Sequence, residues 1–303
     1  MSKLELTSLN CTNCGASIDG YEGKNEIQCE YCNTKMKLLR PRSVAITQGS
    51  LSSDNYDRLN NYVEILQKAI RAGNYNEGYE YCNKALEVNP NIGAIWENKA
   101  ICAFWRSVSY LNEDKITISN AREIRTFLSA SKENDPESDT YEITADAIGS
   151  NLATILRLKM ATTAPDTETI VNKTTVRSYS TRALNRIKDY LETMETAFEL
   201  MVNKDADILK YIVSEFSNHG KVTWWQAKSA YGQKDITNAI PSNAATLAGI
   251  DVARKREVLI KRIQSIEPGY VAPNIIIQAV SPVVLIVAIA VGILVFIATM
   301  RGL

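Results

Sequence analysis

The chain has a single histidine, His219, among 303 residues. That scarcity excludes any metal site built on several imidazoles. It also leaves any Ser–His or Cys–His catalytic pair resting on one side chain. His219 sits in "SNHGKV" at the end of a helical pattern, where an imidazole caps carbonyls. No charge of one sign dominates: 34 Lys+Arg balance 34 Asp+Glu. That removes the electrostatic footprint of a nucleic-acid-coating domain. "MSKLELTSLN" lacks an apolar run of signal-peptide length, so no cleaved leader is expected. Nucleophile-elbow, phosphate-loop and dinucleotide signatures are absent as well, and no enzyme is expected. Trp224–Trp225 read as a buried anchor.

What is present begins with thiols. Four of the six cysteines, Cys11, Cys14, Cys29 and Cys32, follow the spacing C-x2-C-x14-C-x2-C. Two residues inside each pair let one tight turn aim both sulfurs at a common point. Gly15 and Asn33 follow the pairs, and both residue types tolerate the left-handed backbone such a turn needs. "KNEIQC" and "TKMKLL" flank the second pair as short strands. Structural zinc, dithiol redox chemistry and two disulfides compete for these thiols. A redox Cys-x-x-Cys needs only one pair followed by a helix, which favours one structural Zn²⁺ on all four sulfurs. The pattern resembles a zinc ribbon of the small bacterial type, over about residues 3–40, and implies bacterial or phage origin. A module of 1–42 is too short to bury a core, so metal binding supplies its folding energy. Lys35, Lys37, Arg40 and Arg42 cluster after it, offset by Asp19, Glu22, Glu26 and Glu30. They form a solvated or protein-docking face, with nucleic acid the less favoured partner.

After a polar linker, 43–54, the apolar period becomes helical. Tyr62, Ile65, Leu66, Ala69, Tyr75, Gly78, Cys82 and Ala85 precede Pro90, which ends a helix. Trp96, Ala100 and Ala103 then open the next unit. These offsets resemble the tetratricopeptide repeat (TPR), a helix–turn–helix unit of about 34 residues. Gly78 and Ala100 let helices approach, and Cys82 and Cys102 are packed core thiols. The resemblance implies a concave protein-binding groove lined by Asn60, Val63, Gln67, Ile70, Arg71, Glu97, Ile101 and Phe104. Asn98 matches one position of the carboxylate clamp of such repeats. Val63 stands where the clamp has lysine, which argues against that mode.

Helical patterns continue in "SNAREIRTFLSASK", "TYEITADAIGSNLATILRLKM" and "DADILKYIVSEFSNHG". Leu184, Ile187, Leu191, Met194, Phe198 and Met201 form a bundle seam. "TWWQAKSAY" reads as a short helix, and "SNAATLAGIDVARKREVLIKRIQSIEPGY" as a longer one stopped at Pro268. The expected fold class is mostly α: a TPR-like body over 55–270, a small N-terminal β zinc ribbon and a C-terminal transmembrane helix over 275–301.

That last helix rests on Val283–Met300, 18 residues without a charge. At roughly 1.5 Å per residue it spans about 27 Å, near the thickness of a bilayer core. Ser281 and Pro282 are a favourable N-cap and first helical position. Arg254, Lys255, Arg256, Lys261 and Arg262 lie upstream and place the N-terminal side in the cytoplasm, against anionic headgroups. Ala288 and Gly292 offer a small-residue face for homo-oligomer pairing in the bilayer.

The layout resembles a tail-anchored membrane protein. The function expected is a cytoplasmic protein–protein interaction scaffold tethered to the membrane. Two alternatives stay open: a zinc-ribbon nucleic-acid regulator, and a membrane-active pore-forming, toxin or defence effector.

Overall fold

Local signals set the first helices. Ser52 caps α1 (Ser53–Arg71), its side chain accepting from the Asn55 amide at 3.4 Å. Gly73, with φ of 73°, reverses the chain before α2 (Tyr75–Val88), a backbone region that glycine enters without strain. Asn74 and Glu77 cap α2 reciprocally. The Glu77 amide donates to Asn74 Oδ1 at 3.3 Å, and Asn74 Nδ2 donates to the Glu77 carboxylate at 2.8 Å. Pro90 follows α2, and the indole N–H of Trp96, early in α3 (Gly93–Val108), donates to its carbonyl at 2.7 Å.

The computed structural model describes residues 9–19, 23–46, 51–108, 117–163, 167–171, 174–178, 181–202, 204, 206–219, 221–223, 250–273 and 276–278. Among them the architecture is mostly helical. After α3 come α4 (Ile118–Asn134), α5 (Thr140–Thr162), α6 (Thr181–Leu200), α7 (Ala206–His219) and α8 (Ile250–Ile266). Six short strands complete it: β1 (Glu26–Gln28), β2 (Lys35–Lys37), β3 (Thr167–Val171), β4 (Thr174–Ser178), β5 (Lys221–Thr223) and β6 (Ile276–Gln278). The described residues fall into two compact units, Met1–Ala164 with Asn185–Ile208, and Pro165–Leu184 with Leu209–Leu303.

In the first unit, β1 and β2 pair antiparallel with Ile27 opposite Met36, and both side chains are buried. Leu59, Val63, Leu66 and Ile70 of α1 pack with Cys82, Ala85, Leu86, Ile95 and Cys102 of the next two helices. A Cβ at Gly78 would stand 3.0 Å from Cys102 Sγ and 3.1 Å from Ile70 Cγ1, so hydrogen at this position sets the helix spacing. Tyr75 stacks on Trp105 at 5.3 Å, and Lys99 Nζ lies over the rings of Phe127 (4.3 Å), Trp96 (5.0 Å) and Tyr79 (5.3 Å). Val44, Ile46 and Leu51 pack on this core as well, so the expected polar linker instead covers apolar surface.

In the second unit, β3–β4 is an antiparallel hairpin and β5–β6 a parallel pair. β3, β4 and β5 interrupt the helical body expected over 55–270, and β6 occupies residues near the start of the span 275–301 expected to be helical. Thr223, expected to open a helix, ends β5. Trp224, Trp225, most of "TWWQAKSAY" and residues 242–249 lie outside the described residues. On α8, Arg256 is buried. Its Nε donates to Ser217 Oγ at 2.9 Å and its guanidinium also reaches the Pro273 carbonyl. That removes Arg256 from the set expected to face lipid headgroups. Arg254 and Lys261 are exposed, Lys261 pairing with Glu257 at 3.1 Å, whereas Lys255 and Arg262 are half-buried.

Among the described residues no helix is long and apolar enough to cross a membrane. Val283–Met300 lies outside them.

Candidate metal centre

Two turns of the same build present the four thiols. In the first, the Gly15 amide donates to the Cys11 carbonyl at 3.0 Å and the Cys11 amide to the Ala16 carbonyl at 2.8 Å. In the second, Asn33 donates to the Cys29 carbonyl at 2.8 Å and Cys29 to the Thr34 carbonyl at 2.9 Å. Gly15 (φ 74°) and Asn33 (φ 57°) both take the left-handed conformation that closes each turn. The four Sγ atoms lie within 4.8 Å of one another. Cys11–Cys32 and Cys14–Cys29 approach to 3.6 Å each.

This geometry fits a metal ion. An ion bonded tetrahedrally to sulfur at roughly 2.3 Å would set sulfur–sulfur edges at roughly 3.8 Å. Polar groups already surround the cluster. The Asn13 amide points at Cys11 Sγ at 3.4 Å, and the Thr34 hydroxyl lies 3.2 Å from Cys32 Sγ. Burial pushes the Cys11 thiol up to about 12 despite the Cys14 and Asn13 amides. Burial opposes the Cys32 thiolate too, but the Thr34 hydroxyl and amide prevail and bring it down to about 6. At Cys14 the Ala16 amide favours the thiolate, while burial and the neighbouring thiols leave its pKa raised. Cys82 and Cys102 are buried in the helical core, and burial raises the Cys82 pKa.

The thiol module is not a free-standing bead. Asn98 of α3 and Asn151 of α5 each bond both the main-chain N–H and the C=O of one of its residues. The Arg42 amide donates to Asn98 Oδ1 at 2.9 Å, and Asn98 Nδ2 donates to the Arg42 carbonyl at 2.8 Å. The Lys37 amide donates to Asn151 Oδ1 at 2.9 Å, and Asn151 Nδ2 donates to the Lys37 carbonyl at 2.8 Å. Charges reinforce both clasps. Lys37 Nζ meets Asp146 at 2.6 Å, and the buried Arg42 guanidinium bonds Asp135 and lies 3.6 Å from Glu97. Glu97 in turn accepts from the hydroxyls of Thr144 at 2.6 Å and Thr140 at 2.9 Å.

No family model, curated protein or solved structure matches this chain. Its chemistry therefore rests on the geometry alone.

Of the groove residues expected from sequence, Val63, Ile70, Glu97, Ile101 and Phe104 are buried inside the chain. They do not face solvent: Val44, Ile46 and Leu51 pack on the core that holds the first two, and the Arg42 network engages Glu97. Asn60 and Arg71 are exposed, and half-buried Gln67 donates to the Val44 carbonyl at 3.3 Å. Asn98, considered for a carboxylate clamp, is buried and fully used by Arg42. The clasps themselves are missed in the sequence reading. Their signal is a carboxamide at a core position: Asn98 among Ile95, Ile101 and Cys102, and Asn151 among Ile148, Leu152 and Ile155.

Proposed function

We propose that the chain is a docking platform tethered to the cytoplasmic face of a membrane, a protein–protein scaffold whose thiol module carries one structural zinc ion. Four cysteines fill the coordination of zinc and leave no position for water or substrate, so such an ion shapes the fold. The observation that carries the reading is the double clasp. Asn98 and Asn151 fasten the metal-holding module to the helices by its main chain, so metal binding fixes the form of a larger surface.

The residue offsets that resemble a TPR unit fall on three consecutive helices, α1 to α3, which supports a partner-binding role for the body. Val283–Met300, with Arg254, Lys255, Lys261 and Arg262 upstream, supports the tether and sets the thiols on the reducing side. Tethering raises the effective concentration for partners already at the bilayer. The nucleic-acid alternative loses strength because two of its four cations, Lys37 and Arg42, hold internal carboxylates.

Removal of residues 279–303 is expected to move the protein from the membrane to the soluble fraction. Photo-crosslinking of the full chain in its native membrane is expected to trap a protein at unit-1 surface positions. Full-length protein in the soluble fraction, or crosslinks to nucleic acid alone, would overturn the reading. Elemental analysis should find one zinc per chain.

A further inference from the structure

A cleft of about 790 Å³ opens between the thiol module and α5, lined from one side by Glu26 and from the other by Asp139, Glu142 and Ile143, with Val202 at its rim. The cations in its wall are already engaged: Lys37 with Asp146, Arg42 with Asp135, and Arg40 with the Lys24 carbonyl. Of the five lining carboxylates, Asp146 and Glu97 are taken up by Lys37 and Arg42, which leaves Glu26, Asp139 and Glu142. Glu26 lies across the β ladder from Lys37, whose ammonium is turned to Asp146. Asp139 holds the N-cap position of α5 without accepting a capping hydrogen bond. Glu142 accepts from the Tyr141 hydroxyl at 2.8 Å. Among the described residues none of these three forms an ion pair. Ile143 and Val202, both about half exposed, are among the few large apolar side chains left open to water, and they share this cleft.

We propose that this cleft docks a basic, partly aliphatic peptide segment of a partner protein. Lysine or arginine side chains meet Glu26, Asp139 and Glu142, and an aliphatic side chain covers Ile143 and Val202. Charge complementarity fixes the sign of the occupant, because five carboxylates line the cleft against three cations. The apolar pair supplies the contact that a purely ionic rim lacks. The proposal rests on the docking-platform reading and narrows it to a partner chemistry.

The test uses full-length protein in a non-ionic detergent and fluorescein-labelled eight-residue peptides, read by anisotropy. One peptide alternates leucine with lysine, one leucine with glutamate, and one leucine with serine. The lysine peptide is expected to bind at least tenfold more tightly than the other two. Glu142→Lys and Glu26→Lys should each weaken it about tenfold, Ile143→Ser should weaken it severalfold, and Glu87→Lys on exposed α2 should leave it unchanged. Circular dichroism reports whether each variant keeps its fold, and Glu26→Lys and Glu142→Lys lie on opposite walls, so one misfolded variant does not remove the test. Equal affinity for the three peptides, or equal loss in Glu87→Lys and Glu142→Lys, would overturn the assignment. A crosslinked partner whose capture is indifferent to Glu142→Lys would also overturn it while leaving the platform standing.

Discussion

A carboxamide carries a donor and an acceptor side by side on one carbon, so a buried asparagine closes both main-chain bonds of a single residue. Asn98 and Asn151 do this for Arg42 and Lys37. Asn151→Leu keeps the volume but strands a peptide N–H and C=O. We expect about 2–4 kcal/mol lower stability in urea unfolding. Glycines give a second residue-scale test. A Cβ at Gly149 would lie 2.6 Å from the Ala197 carbonyl oxygen, a main-chain atom with little room to yield, whereas at Gly78 it meets the ends of side chains at 3.0 Å and beyond. Gly149→Ala should therefore lower the melting temperature more than Gly78→Ala, with about 1–3 kcal/mol expected for the former.

At the scale of elements, β2 belongs to two structures at once. Its ladder partner β1 belongs to the thiol module, and the N–H and C=O of its Lys37 bond Asn151 of α5. Hydrogen exchange at the Lys37 amide should be slow in metal-loaded protein. It should accelerate at least tenfold after Cys29→Ser or metal removal, while amides in the middle of α2 change less. The paired cysteine turns and β1–β2 were legible in the sequence because their determinants are local: spacing, then Gly15 and Asn33 at the left-handed positions. The α1–α2–α3 order was legible for the same reason, through Gly73, Gly78 and Pro90. The strands β3 to β6 were not, since runs of three to five residues carry too few turns of either period to outweigh the helical signal around them.

At the scale of the whole molecule, the first unit joins the N-terminal module to helices from the middle of the chain, which no local pattern announces. The sequence reading set a groove on the α1 and α3 faces. Five of its residues are instead buried within the chain, where Val44, Ile46 and Leu51 pack on the core that holds Val63 and Ile70 and Arg42 engages Glu97, and only long-range packing decides that. The same packing predicts that metal stability reaches beyond the thiols. A zinc chelator should lower the melting temperature of the helical signal by several degrees, and should do so far less in an Asn98→Leu, Asn151→Leu double variant, where the module is already released. Metal uptake should also acidify a weakly buffered solution, because the raised Cys11 and Cys14 thiols must each give up a proton.

The clasp on Lys37 closes across 114 positions of chain. On a ribosome adding roughly 5–20 residues each second, about 6 to 23 seconds separate the birth of the strand from that of its asparagine. During that interval the four sulfurs are already made and available to an ion, while the edge meant for α5 stands bare. Growth order thus puts metallation ahead of docking, and a nascent chain starved of metal would meet its own helices without a shaped surface to offer them.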